Sequence, residues 1–242
     1  MRVGITQSNY IPWRGYYDFI NDVDLFISYD DVQYTQRDWR NRNRIKTPNG
    51  LQWLIVPVRH YKRTQRICDT LIDYSQPWQR KHINTIKTNY HKAPFYHLYA
   101  DEFFTIIEQR HETISELNIA LSRWIMEKLS ITTPLKISSE FNPVGSKTDR
   151  LIDILQKANA TTYLSGPKAK DYLEPEKFVS AGIQLEYKSY KYKDYPQLWG
   201  PFEPAVSVLD LLFNCGENSR EYLKSLSENE EYIEPLKLHM NG

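Results

Sequence analysis

The sequence predicts an α/β fold, a mostly parallel sheet flanked by helices, with a β-hairpin and a helical insertion. Three observations lead there. The chain opens with strand, polar loop, helix and strand, the elements of a βαβ unit. The same alternation returns after Thr148. Between them lie a turn-punctuated pair of strand-like runs and a long stretch with helical periodicity.

Taken in order, Val3 to Thr6 is a β-branched run that predicts a buried strand. Pro12 and Gly15 mark a loop, and Tyr16 to Asn21 carries apolar residues at helical spacing. Asp24 to Tyr29 reads as the second strand. Thr47-Pro48-Asn49-Gly50 is a turn signal that makes residues 40 to 58 a hairpin. Residues 59 to 69 form a basic surface connection. Trp78 to Gln109 and Thr113 to Leu129 are helical, the latter with Ile114, Leu117, Leu121, Trp124 and Ile125 on one face. Leu135 to Ile137, Thr161 to Leu164 and Ile183 to Tyr187 are strands, separated by helices over Thr148 to Ala160 and Pro175 to Ala181. A tyrosine-rich loop leads to a helix over Ala205 to Phe213, and a polar helix and tail close the chain. Without a repeat or a low-complexity linker, residues 1 to 242 are expected to form one domain, with 78 to 130 as the insertion.

Composition narrows the function. A net charge of +1 gives no global attraction to nucleic acid or membrane, so any anion site has to be a local cluster. No apolar run is long enough to span a bilayer and the start lacks a signal-peptide core, which predicts a cytoplasmic protein. Cys68 and Cys215 have neither disulfide-framework nor zinc spacing, and no metal site is expected. Walker, HExxH and GxSxG motifs are absent.

The local cluster is DDVQYTQRDWRNRNRIK, residues 30 to 46. In an extended strand Arg40, Arg42, Arg44 and Lys46 point one way and Asn41, Asn43 and Ile45 the other. Such a ridge suits charge-assisted binding of an anion. In a βαβ unit ligand sites lie at the C-terminal ends of the parallel strands. Gln7, Asn9, Tyr10, Trp13 and Arg14 follow the first strand, and Asp30, Asp31 and Gln33 follow the second, so both groups are expected at one sheet edge. Ser165 and Gly166 end a later strand, and Ser207 and Asp210 share a helix face with the tyrosine-rich loop. The turn PWRGYY occupies the place of the histidine-containing turn in Rossmann-like, nucleotidyltransferase-like folds, but has no histidine.

QSNYIPWRGYYDFI, YDDVQYTQRDWRNRNRIKT, TYLSGPKAKDYL and VLDLLFNCG, in this order, resemble the signature blocks of the WbqC-like family. Cys215 stands where a polar or acidic residue is expected, which argues against a family-wide catalytic thiol there. The resemblance implies a role in bacterial surface polysaccharide (O-antigen) synthesis, with acyl or aminoacyl transfer to the amine of a nucleotide-linked amino sugar. The sequence does not give the donor; an acyl-CoA or acyl-carrier thioester is compatible with that reaction. An N-acyl transfer needs a base, oxyanion donors and cations for phosphate. Asp30 or Asp31 is the expected base, with Gln33 beside them. Arg37, Arg40 and Arg42 are expected on phosphates, Asn41 and Asn43 on hydroxyls or the oxyanion, and Trp13 and Trp39 on ring faces. Against this stands a purely structural role for the pair, a salt bridge of Asp31 to a nearby arginine. Two alternatives remain: activation of a small acid with ATP and Mg²⁺, or a non-catalytic binder of polysaccharide or nucleic acid, the latter opposed by the carboxylates beside the ridge. Oligomeric state has no signature in the sequence.

Overall fold

The computed structural model describes residues 1–59 and 62–233. A six-stranded sheet runs through it, built from β1 (Arg2–Thr6), β2 (Leu25–Ser28), β5 (Leu135–Ile137), β6 (Thr162–Ser165), β7 (Gln184–Tyr187) and β8 (Glu230–Glu231). Its order is β5-β2-β1-β6-β7-β8. The first five strands are parallel and β8 is antiparallel to β7. The α/β fold expected from the alternation is the one observed.

Alternation along the strands sorts two cores. Val3, Ile5, Leu25, Ile27, Leu185 and Tyr187 face α5 (Lys147–Lys157) and α6 (Pro175–Ser180). Each such buried aliphatic is worth about 1.5–3 kcal/mol. Phe26 and Leu164 face the other way, toward α1 (Arg14–Asn21) and α7 (Val208–Cys215). Gly4 lets α1 approach closely, because a Cβ there would lie 2.7 Å from the Phe19 ring.

The connection from β2 to β5 carries the hairpin, β3 (Arg42–Thr47) and β4 (Gly50–Ile55), followed by α2 (Trp78–Tyr90), α3 (Tyr96–Glu108) and α4 (Ile114–Lys128). All three helices pack into the same cluster as α1 and α7. Thr113 caps α4, and Glu116 closes a capping box. No helix among the described residues is long and apolar enough to cross a membrane.

Several boundaries differ from expectation. α1 begins two residues early, because Arg14 and Gly15 wind into the helix behind an extended Trp13. The last helix runs from Val208 to Cys215, rather than from Ala205 to Phe213. The expected polar C-terminal helix is only a 3-10 segment over Gly216–Tyr222, followed by β8, whose backbone completes the β7 edge. Residues 234–242 of that expected tail lie outside the described residues.

Candidate functional site

The parallel strands all end at one edge of the sheet, and β1 sits between β2 and β6. The connections therefore diverge to opposite sides at the end of β1, the position where open α/β sheets bind ligands. Residues 7 to 13 leave β1 at this crevice, and the segment from Asp38 to Arg44 crosses it.

These two segments are tied together. The Tyr10 amide donates to the Trp39 carbonyl at 3.0 Å. The Asn43 side-chain amide donates to the carbonyls of Tyr10 and Ile11 at 3.1 and 2.9 Å. Arg40 donates to the Ser8 carbonyl at 3.2 Å and to Asn9 Oδ1. Behind them, buried Asp30 accepts from the Ser8 amide at 2.8 Å and from the Ser115 hydroxyl. Asn118 donates to Ser8 Oγ at 3.1 Å and to the Arg40 carbonyl at 2.8 Å, so α4 clamps both segments.

A recess of about 380 Å³ opens in front of this latch, lined by Asn9, Pro12, Trp13, Trp39, Asn43, Arg44, Pro204 and Ala205. Trp13 stands 5.2 Å from the ring of Tyr190 and 5.8 Å from that of Tyr192. Gly15 is required beneath it, since a Cβ there would come within 2.3 Å of the indole. Arg14 is buried behind, 4.6 Å from the Tyr192 ring and 5.0 Å from that of Tyr195, and donates to the Lys193 and Tyr222 carbonyls. Burial lowers its pKa. On the other wall the Arg44 guanidinium lies 5.8 Å from the Trp39 ring and 5.5 Å from that of Trp53. It makes no ion pair among the described residues, so its charge is available to an anion in the recess.

A second recess, about 220 Å³, lies on the far side of Ser8 at the ends of β2 and β5, and is bordered by Asp30, Asp31, Cys68, Ser115 and Ser138. Burial pushes the Cys68 thiol up to about 11, so it stays protonated at neutral pH. A further recess, about 660 Å³, is elsewhere, beside β8. Two of its cations are already neutralised, Arg2 by Glu186 at 2.7 Å and Lys188 by Asp18 at 2.9 Å, and it gathers none of the candidate residues.

The WbqC-like protein family matches residues 7–222. The chain belongs to that family. It is 48% identical over 226 residues to the uncharacterized protein Rv1507c of Mycobacterium tuberculosis (strain ATCC 25618 / H37Rv), covering 92% of this chain and 97% of the relative. No solved structure matches.

In this WbqC-like protein the expected residues divide into three groups. Asn9, Trp13, Trp39 and Asn43 line the first recess together. Asp30 and Asp31, just beyond the end of β2, both border the second. The remainder lies elsewhere. Tyr10 is wholly buried, its hydroxyl 2.9 Å from His82 Nδ1, because the chain turns inward before Pro12. Asn41 is also buried and donates to the Val56 carbonyl at 2.8 Å. Gln33 is exposed in a bridge to Arg66. Arg37 is exposed at positive φ. Gln7 is half-buried, and its carbonyl accepts from the Tyr16 hydroxyl. Ser165 is buried with its hydroxyl 3.3 Å from that of Tyr163, and Gly166 begins a 3-10 turn; neither borders a recess described above. Asp210 is completely buried, where it accepts from the hydroxyls of Tyr90 at 2.7 Å and Tyr195 at 2.9 Å, and burial raises its pKa.

The arginines are also redistributed. Arg40 is committed to Ser8, Asn9 and Asp38, and Arg42 stacks on Trp53 at 4.5 Å. The ridge alternation holds from Arg42 to Ile45 and fails at Lys46, which is buried and held by Gln197 Oε1 at 2.9 Å. Asp31 pairs with Arg150 at 2.6 Å and accepts from Ser138 at 2.5 Å, so the salt-bridge alternative holds, with an arginine from outside the ridge. Sequence reasoning put Arg44 on the ridge but not among the arginines assigned to phosphates, and it left out Ser115 and Asn118. Ser115, Asn118 and Ser122 form a polar stripe at helical spacing within the apolar face of α4, which was the available signal.

Proposed function

We propose that this protein is an N-acyl or aminoacyl transferase of bacterial surface polysaccharide synthesis that binds a nucleotide-linked amino sugar in the Trp13–Trp39–Arg44 recess. The carrying observation is the chemistry of that recess: two indoles, two asparagine side chains and a guanidinium with no ion-pair partner among the described residues, at the divergence point of the sheet. Indole faces suit a base or sugar ring, Arg44 suits a phosphate, and Asn9 suits hydroxyls.

In the reaction we propose, the sugar amine attacks the thioester carbonyl. The C–N bond forms, the C–S bond breaks, and the amine proton passes through a base to the departing thiolate. We assign the base to Asp30, since Asp31 is neutralised by Arg150; the acceptor sugar then extends past Ser8, its nucleotide in the first recess and its amine at Asp30 in the second. Both Asp30 oxygens already accept hydrogen bonds, which fixes the carboxylate's orientation. The same sheet order also suits activation of a small acid with ATP.

Incubation with a nucleotide-linked amino sugar and a panel of acyl thioesters, read by mass spectrometry, tests the proposal. An acylated sugar is expected. Pyrophosphate release with ATP, Mg²⁺ and an acid, and no acylated sugar, would favour the second activity. Absence of both products, with no thermal shift from any nucleotide sugar, would overturn the enzymatic reading.

A further inference from the structure

The β3–β4 hairpin buries one face and leaves the other open. Directly opposed pairs in this antiparallel ladder are Arg42 with Ile55, Arg44 with Trp53 and Lys46 with Leu51, and opposed side chains share a face. Apart from Lys46, which turns inward, that face is uncovered: Leu51 is 36% exposed, Trp53 40% and Ile55 49%, with Trp39 at 41% against Trp53. Arg42 and Arg44 lie over the indoles and make no ion pair among the described residues. Exposed Arg37 stands at the rim. Large apolar side chains in the open, interleaved with unneutralised guanidiniums, mark an interaction surface.

We propose that this face docks onto an anionic phospholipid bilayer surface. Indoles belong at the headgroup level, Leu51 and Ile55 at the acyl boundary, and guanidiniums on lipid phosphates. Two other occupants fit less well. A two-fold pairing of the hairpin with a second copy would set Arg42 and Arg44 against the same residues of the partner. A nucleic acid strand would use the arginines and indoles but would leave the aliphatics Leu51 and Ile55 without a role. Trp39 and Arg44 belong both to this face and to the 380 Å³ recess, so docking would turn the recess toward the headgroups.

Co-sedimentation of the full chain with phosphatidylcholine vesicles, with and without phosphatidylglycerol, tests this, alongside the double variant Leu51→Ser/Ile55→Ser and the single variant Arg42→Gln. The expected result is partitioning on the order of 10-fold stronger to anionic than to neutral vesicles, weakened by salt. It should be lost in the double variant, whose melting temperature should match the parent's, and reduced in Arg42→Gln. No partitioning to anionic vesicles, or equal partitioning of parent and double variant, would overturn the proposal. So would a dimer in analytical ultracentrifugation that the double variant dissociates, or retention on single-stranded RNA without vesicle binding. The assay contains no nucleotide sugar, so its failure would leave the proposed recess function standing.

Discussion

Asp30→Ala is the perturbation that bears most directly on how the two segments are joined. In the parent, one carboxylate oxygen accepts from the Ser8 amide at 2.8 Å and the other from the Ser115 hydroxyl, both buried. Alanine leaves both donors without that acceptor. The Ser115 hydroxyl can rotate, but the Ser8 amide is fixed by the backbone, and an orphaned buried donor costs about 1–3 kcal/mol. Adding the lost charge-assisted bond to Ser115 brings the expected destabilisation to about 3 kcal/mol. Asp30→Asn keeps an oxygen for Ser8 and should cost about 1 kcal/mol. Urea unfolding with an unchanged m-value measures both. An alanine variant within about 0.5 kcal/mol of the parent would show that Asp30 does not hold this turn. The asparagine variant separates structure from chemistry: folded, ligand-binding and inactive if Asp30 is the base, fully active if it is not.

His82 gives a pH prediction. Its Nδ1 takes the Tyr10 hydroxyl and its Nε2 meets the Ile55 carbonyl at 3.1 Å, and burial lowers its pKa from 6.5 to about 4. Between those values the unfolded chain binds a proton that the folded chain refuses. Stability should therefore fall as pH drops from 6.5 to about 4, by about 3 kcal/mol relative to His82→Gln, and level off below; parallel curves for parent and variant would contradict this. Gly15→Ala forces the Trp13 indole to move, and should weaken nucleotide-sugar binding about 10-fold while the protein stays folded; unchanged titration calorimetry would refute the close packing. Lys46→Met leaves Gln197 and the Gly200 carbonyl without their cation, and should cost about 1–3 kcal/mol and speed chymotryptic cleavage near Trp199, measured by a digestion time course. Cleavage at the parent's rate would show that Lys46 does not hold the loop.

Much of the fold was legible because it is local. The β-branched runs, the Pro-Asn-Gly turn and the periodic face of α4 each declare an element without knowledge of its neighbours. The expectation that the segments after β1 and β2 share one sheet edge follows from parallel strand pairing, and the Tyr10–Trp39 hydrogen bond joins them. Long-range pairings were not legible. Asp31 finds Arg150 across 119 residues, and nothing near either residue announces it. Tyr10 reads as a loop residue, yet it is buried against His82. Strict alternation placed Lys46 on the ridge, but the carbonyls of the tyrosine-rich loop offered its ammonium a better-bonded position inside. The asparagines were read as ligand-binding amides, and Asn41 instead satisfies a backbone carbonyl, the commoner use of a buried amide.

The central claim is that Trp13 and Arg44, from two separate stretches of chain, hold one ligand. Measuring the dissociation constant of a nucleotide-linked amino sugar by titration calorimetry for the parent, Trp13→Ala and Arg44→Ala tests it most directly. Each variant should bind on the order of 10-fold more weakly than the parent while remaining folded. Parent-like affinity in either variant would mean that the two side chains do not serve the same bound molecule.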